Sequence, residues 1–304
     1  FQAEDGIRDV EWSRGLGDVY KRQMINCAQI LAWSAWAPGL ADRAAWLAAL
    51  RTHGADFGLL SSEYAPLNAA EPKAPAVLVP PMLRRRLSPL GRAAAEAAAP
   101  LLAAAEDKNL PWVYASRWGD LQLAVDSLES VAAGGTVSPA AFSTSVHNAP
   151  PALLSIALGH TGNLTALAGG PFSLEAAFES AVGLLFEAPQ VLLICADLKP
   201  PVQTNAAGVT HAVGLLLGRQ HETADPNQWR EVCAKGPCAA LTTRPLSASE
   251  TSDNRLDTLG GPSPALEVLA WLLGSDDRTF THFDRHAAHI WAKTSRLEAE
   301  TRHP

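Results

Sequence analysis

Four cysteines and nine histidines are the side chains through which this sequence could do covalent or acid–base chemistry, and their spacing limits what they can do. Cys27, Cys195, Cys233 and Cys238 form no Cys-x-x-Cys pair, so the sequence points to neither a disulfide scaffold nor a thiol–disulfide site. Cys233 and Cys238 have no histidine close in sequence to complete a metal set, and each cysteine also reads as a small buried hydrophobe. Cys195 ends a wholly apolar run and is expected in the core. His282, His286 and His289 stand at i, i+4 and i+7, which would align three imidazoles on one helix face. No His-Glu-x-x-His or paired carboxylates accompany them, so a surface helix near the C-terminus is the competing reading. There is no Gly-x-Ser-x-Gly elbow, phosphate loop or dinucleotide fingerprint, and neither cofactor nor metal is expected. Arg84, Arg85 and Arg86 form a basic cluster. It is either a solvated helix start or subunit contact, or a docking patch for an acidic partner.

The elements that must position these residues alternate in period. Residues 25–36 (INCAQILAWSAW) read as a strand leading to a turn at Pro38-Gly39, and Asp42 caps a helix over 43–53 that Gly54 stops. A Pro-rich loop fills 55–80. The Ala-rich segment 89–106 is helical by propensity, with Pro100 a potential kink. Residues 112–116 read as a strand. Leu121, Ala124, Val125, Leu128 and Val131 then follow at helical spacing, and Gly134-Gly135 ends that helix. A short helix is expected over 152–158 and a short strand over 164–167. Gly169-Gly170-Pro171 makes a turn with Pro near the first helical position. Leu174, Ala177, Phe178, Ala181, Val182 and Leu185 continue as an amphipathic helix broken by Pro189. Residues 191–196 have the pattern of a strand buried on both faces, and 208–217 hold another strand. Beyond Gln220, one or two strands over 229–242, a polar loop over 246–261 and a helix over 264–273 are expected. Strands alternating with helices predict an α/β fold, a mixed sheet covered by helices on both faces.

The 304 residues are 47% hydrophobic and 18% charged, a globular composition that excludes disordered and fibrous classes. A net charge of −7 supplies no field for a polyanion, so no nucleic-acid partner is expected. No apolar run reaches the ~18–20 residues of a membrane span, so none is expected. The thiol usage fits the cytoplasm. Residues 1–23 (FQAEDGIRDVEWSRGLGDVYKRQ) show no helical or strand period, and they resemble the in-frame translation of sequencing-adapter DNA. The native protein is therefore expected to begin at or near Met24.

Residues 138–197 (SPAAFSTSVHNA… through VLLICAD) resemble the N-terminal half of β-ketoacyl synthases. Pro139, Phe142, Asn148, Gly162, the strand at 164–167, the helix after Pro171 and the strand from Val191 match that family in order and spacing. Residues 25–36 and 208–217 resemble its first and following strands. SAWAPGL, PMLRRRLSPLGR and FSTSVHNA are similar to the short ketosynthase-like chain length factors of aryl polyene gene clusters.

The resemblance implies a thiolase-like fold in which residues 24–220 form the ketosynthase-like domain. Residues 221–304 would be a short remnant packing on it, with the family's second half mostly absent. It places the family's nucleophilic cysteine at Gly170, flanked by Gly169 and Pro171, where no nucleophile stands. Gly208-Val-Thr-His211 stands too early to match the family's histidine motifs. The resemblance thus implies a non-catalytic subunit that pairs with an active ketosynthase as a heterodimer and meets acyl carrier protein through that complex, in polyketide or fatty-acid-type synthesis. Leu164, Thr165, Ala166, Leu167 and Ala168 would lie at the dimer axis. Phe142, His147, Asn148, Phe172 and Phe178 would face the acyl channel, the phenylalanines as steric stops; His147-Asn148 reads equally as a tie for the turn before Pro150-Pro151. A small active acyltransferase with a different nucleophile is the alternative.

Overall fold

The computed structural model describes residues 26–53, 73–204, 206, 208–219, 237–246, 263–274, 277–283 and 287–294. The adapter-like head, Gly54, the Pro-rich loop through 72, Cys233, His286 and residues 247–262 lie outside them. Two central strands, β4 (Gln190–Asp197) and β5 (His211–Gly218), are buried along their whole length. Such strands need a cover on each face, and the rest of the chain supplies it.

The order is β1 (Asn26–Trp36), α1 (Arg43–His53), α2 (Pro81–Arg84), α3 (Pro89–Ala104), β2 (Trp112–Ala115), α4 (Leu121–Ala132), α5 (Pro139–Ser145), α6 (Ala149–Leu158), β3 (Leu164–Leu167) and α7 (Ser173–Leu184). After β4 and β5 come β6 (Cys238–Pro245), α8 (Pro264–Gly274), β7 (Thr279–Phe283) and β8 (Ala287–Lys293). All eight strands join one mixed sheet in the order β3-β2-β4-β5-β1-β6-β8-β7. β2 runs parallel to β3 and β4, whereas β5 is antiparallel to both β4 and β1. Residues beyond β5 therefore extend the same sheet past β1.

The period of two sorts the strand side chains. Val113, Ala115, Val191, Leu193, Cys195, Val213 and Leu215 join α7, α8 and α1 in one core. Trp112, Tyr114, Leu192, Ile194, Ala196 and Leu216 join α3 and α6 in the other. The Ala-rich composition of α3 has a steric cause. A Cβ on Gly214 would sit 2.7 Å from Leu101 Cδ1 and 3.0 Å from the Ala97 carbonyl oxygen. Only small residues on both sides permit that approach, and Ser34 Oγ clasps it by donating to the same carbonyl.

One expected helix packs outside the core, and two expectations change. The apolar positions of α4 keep helical spacing, yet none of its residues is buried, because the helix lies outside both cores. The histidine-bearing tail is a β-hairpin, with His282 opposite His289, and not a helix. Its side chains obey the two-residue period, which sends His282 inward to carboxylates. The helix expected over 152–158 begins earlier, with Pro150 and Pro151 in its first turn, where their missing N–H groups leave no bond unmade.

Candidate functional site

The strand–turn–helix made by β3 and α7 forms the centre of the site. β3 is an edge strand, and its last carbonyl, on Leu167, accepts from Ser116 N at 3.3 Å and from His147 Nε2 at 2.7 Å. The chain then turns sharply. Ser173 Oγ accepts from Gly169 N at 3.1 Å and donates to Gly170 O at 2.7 Å, closing the turn on itself. A Cβ on Gly169 would lie 2.8 Å from the Phe172 carbonyl oxygen, so that position admits no side chain. Gly170 has φ +57°, in the left-handed region, and a Cβ there would meet nothing within 4 Å. A side chain at 170 would thus stand in open space at the head of α7, and this chain carries only a hydrogen there. Pro171 lies in the short 3-10 turn Gly170–Phe172 that leads into α7.

Beside the turn, α7, α8 and the β7–β8 hairpin bring together charges from distant segments of the chain. Glu175, in the first turn of α7, is buried and accepts from Trp291 Nε1 at 3.1 Å. His282 Nδ1 lies 2.6 Å from the same Glu175 oxygen, and its Nε2 lies 3.2 Å from Glu267 on α8. Burial alone would lower the His282 pKa, but hydrogen bonds and charge from the two carboxylates outweigh it and raise the pKa to about 9. The ring is therefore an imidazolium with both N–H groups engaged, unable to serve as a general base at neutral pH. His289 stacks on Phe172 with centroids 4.6 Å apart and bonds Thr243 at 3.1 Å.

A second polar cluster caps the same end of the sheet. Asp197 accepts from Ser116 Oγ at 2.8 Å, Arg117 N at 2.7 Å and Trp118 N at 3.2 Å. Burial raises the Asp197 pKa above the usual carboxylate range, against the pull of His211 and these donors. Burial also lowers the His211 pKa, so the ring is neutral; Nδ1 donates to Val209 O at 2.9 Å and Nε2 accepts from Ser263 Oγ at 2.7 Å. That serine–histidine contact has the form of an activated nucleophile, but both residues are buried and Ser263 stands at the head of α8. His211 gave no sequence signal for this pairing, because its serine partner comes from a distant segment.

The other candidates separate. Phe142 is exposed on α5, and His147 holds the end of β3. Asn148 is exposed at the head of α6, where its side chain makes no capping bond. Phe172 is half-buried against His289. Phe178 is wholly buried against Trp291, centroids 4.8 Å apart, so it is core and cannot reach a channel in another chain. Leu164, Thr165, Ala166 and Leu167 form β3, all half-buried, and Ala168 follows it. Cys195 lies in the core, its thiol pushed well up by burial and by the charges of Asp197 and Glu175, which keeps it protonated and inert. Arg84 spends its guanidinium on the Val77 and Val79 carbonyls, while Arg85 and Arg86 are exposed. Among the described residues no cluster of His, Cys, Asp and Glu could hold a metal, and no helix is long and apolar enough to cross a membrane.

The profile of the family described as "Beta-ketoacyl synthase, N-terminal domain" matches residues 61–292. A ketosynthase (ApeO) in complex with its chain length factor (ApeC) from Xenorhabdus doucetiae superposes with a TM-score of 0.61 at 22% identity, covering 87% of this chain and 98% of that one. A type II polyketide synthase complex of acyl carrier protein with its ketosynthase (AntDE:AntF) gives 0.53 at 12% identity, covering 88% and 99%. A β-ketoacyl synthase from Burkholderia phymatum STM815 gives 0.52 at 13% identity, covering 77% and 68%. These likenesses establish the thiolase-like ketosynthase fold. Among curated proteins, no match is found.

Proposed function

The chain belongs to the β-ketoacyl synthase N-terminal-domain family, and within it we propose a non-catalytic chain length factor, a cytoplasmic subunit that pairs with an active ketosynthase and sets how far a polyketide- or polyene-type chain grows. Gly170 carries this reading. Decarboxylative condensation needs a nucleophile to hold the growing acyl group, and the open elbow position offers a hydrogen. Cys195 is buried and protonated, and His282 is locked between carboxylates, so neither replaces the missing chemistry.

Pairing is favoured by β3. It is a sheet edge of four uncharged residues, Leu-Thr-Ala-Leu, with neither the Lys nor the Pro that guards an exposed edge. A strand of the partner ketosynthase would align on it. The surface around Phe142, His147 and Asn148 would then lie beside the partner's acyl channel, where Phe142 and Phe172 act as steric stops. Acyl carrier protein would deliver substrates to the pair. The X. doucetiae relative is itself a ketosynthase held with its chain length factor, which agrees with this reading.

Purified alone with malonyl and primer thioesters, the protein should form no carbon–carbon bond. Co-expressed with a neighbouring ketosynthase that keeps its elbow cysteine, it should co-purify, and Phe142→Ala or Phe172→Ala should lengthen the product seen by mass spectrometry. Turnover by the isolated chain overturns the silent-subunit reading, failure to co-purify overturns the pairing, and unchanged product length in both variants overturns the gate. One contact favours a second reading, a small acyltransferase: Ser263 Oγ lies 2.7 Å from His211 Nε2. A fluorophosphonate adduct on Ser263 of the isolated protein would select it.

A further inference from the structure

Cys195 belongs to one of the two large cores, but Cys27 and Cys238 pack elsewhere. With Ala240 and Ala292 they make a small cluster of their own, opposite the face that Ala28, Ala239 and Trp291 give to the core beneath α7 and α8. Cys238 is buried there and Cys27 is half-buried. The other members are alanines, so neither thiol is hemmed in by a large side chain.

The register places the two sulfurs toward each other. Cys27 stands opposite Ala240 and Gln29 opposite Cys238 in the antiparallel β1–β6 ladder. Ile30 N donates to the Pro237 carbonyl at 2.8 Å, and Thr294 N on the other side of β6 donates to the Cys238 carbonyl at 3.1 Å. Both bonds make Cys27–Ala240 and Gln29–Cys238 the pairs without mutual hydrogen bonds, whose side chains stand closer together. Cys27 and Cys238 are thus diagonal neighbours on one face, on the diagonal that the right-handed strand twist closes. Such Cα atoms lie about 7 Å apart before the twist acts, near the upper limit for a disulfide. Cys238 is the first residue of β6 and Cys27 the second of β1, so the bond would form at strand ends, where the ladder can yield. A disulfide formed there is strained, and strained disulfides are readily reduced.

We propose that Cys27 and Cys238 are a reversible, peroxide-sensitive thiol pair that staples β1 to β6. Hydrogen peroxide meets the half-buried Cys27 first. Its sulfur attacks one peroxide oxygen, the O–O bond breaks, and Cys27 sulfenic acid and water result. The Cys238 sulfur then attacks the Cys27 sulfur. The S–S bond forms, the S–OH bond breaks, and the departing hydroxide takes the Cys238 proton as a second water. Two thiols lose two electrons to one peroxide, and a dithiol reductant returns them. The staple closes within one chain and fastens the β6–β8–β7 end of the sheet to its central strands. Transient links of this kind suit a reducing compartment, where permanent disulfides do not persist.

The full chain, reduced and cleared of reductant, would be treated with hydrogen peroxide, then denatured and alkylated for mass spectrometry. The product should be two hydrogens lighter and carry two alkyl groups on its four cysteines. Tryptic cleavage after Lys235 parts Cys233 from Cys238, so the linked peptides identify the partners. Cys27→Ser and Cys238→Ser should each abolish the link, and Cys195→Ser should leave it, with unchanged circular dichroism showing that the variants fold. In Cys238→Ser, dimedone should trap Cys27 as the sulfenic acid. The oxidised wild type should unfold about 5 °C or more above the reduced one, and dithiothreitol should erase the difference. A link through Cys233, a bond between two chains, or oxidation that stops on one sulfur with the other still alkylated would overturn the proposal. If a serine variant fails to fold, the wild-type peptide map decides alone.

Discussion

Glu175 is a carboxylate buried at the head of α7, and its surroundings show why a histidine had to come from the far end of the chain. Oε1 accepts from both His282 and Trp291, and His282 reaches on to Glu267, so one imidazolium answers two carboxylates on different helices. Its stabilising effect has a definite sign. The folded pKa of about 9 lies above the ordinary histidine value of 6.5, so the contribution is fully present below about pH 6.5 and is lost as pH rises toward 9. Facing groups on the packed elements are Glu175 on α7 and Glu267 on α8, with Trp291 from β8. Denaturant unfolding followed from pH 6 to 9.5 should show stability falling by a few kcal/mol, of order 3. His282→Gln should flatten that slope. His282→Ala should cost about 3 kcal/mol at neutral pH by leaving a buried carboxylate unanswered, and adding Glu175→Gln should recover part of the loss. A pH-independent wild type would refute the charge assignment. None of this was legible beforehand, because the histidine spacing i, i+4, i+7 suits a helix as well as two facing strands, and only the hairpin register decides.

At the scale of elements, what could be read from the sequence was what local chemistry fixes. The β1 and α1 boundaries, the buried β4 run and the core face of α7 follow from period, capping and proline alone, and the structure keeps them. The elbow was legible through Gly169-Gly170-Pro171, since a turn that blocks a Cβ at one position and takes φ +57° at the next leaves glycine as the natural choice at both. The exposure of α4 was not legible, because a hydrophobic stripe has the same spacing whether it faces its own core or another chain's. Phe178 and Phe142 are the reverse pair, two aromatic residues alike in sequence that separate only once the packing places one in the core and one outside. Gly162 marks where such packing is least forgiving: a Cβ there would fall 2.0 Å from the Asn109 carbonyl oxygen, a clash with backbone that no side-chain rotation relieves. Gly162→Ala should therefore push the start of β3 off the loop before β2 and destabilise the protein by about 2 kcal/mol in chemical unfolding. A variant as stable as the wild type would mean that this loop yields more readily than its bonds from Thr161 to Asn109 suggest.

Across the whole molecule the two ends of the sheet differ. The β7 end belongs to a hairpin tied to α7 and α8 through His282, whereas the β3 end is a short neutral strand whose outer backbone groups face away from β2. Beside it, α4 and α5 lie on the helix layer without a core of their own. Both features are liabilities in a lone chain, since unpaired strand edges and apolar layers invite association, and both become contacts when a partner covers them. Binding that favours only the folded state stabilises it in proportion to RT ln(1 + [L]/Kd), about 2.7 kcal/mol at a hundredfold excess over Kd. The isolated protein should therefore melt several degrees below the paired one, with a midpoint that climbs as ketosynthase is added. Hydrogen exchange should localise the gain. The outward-facing amides of Leu164 and Ala166 should exchange rapidly alone and slowly in the pair, while β4 and β5 should be slow in both because the sheet already buries them. Protection confined to the β7–β8 end on adding the ketosynthase would place the interface at the opposite edge and remove β3 from the dimer axis.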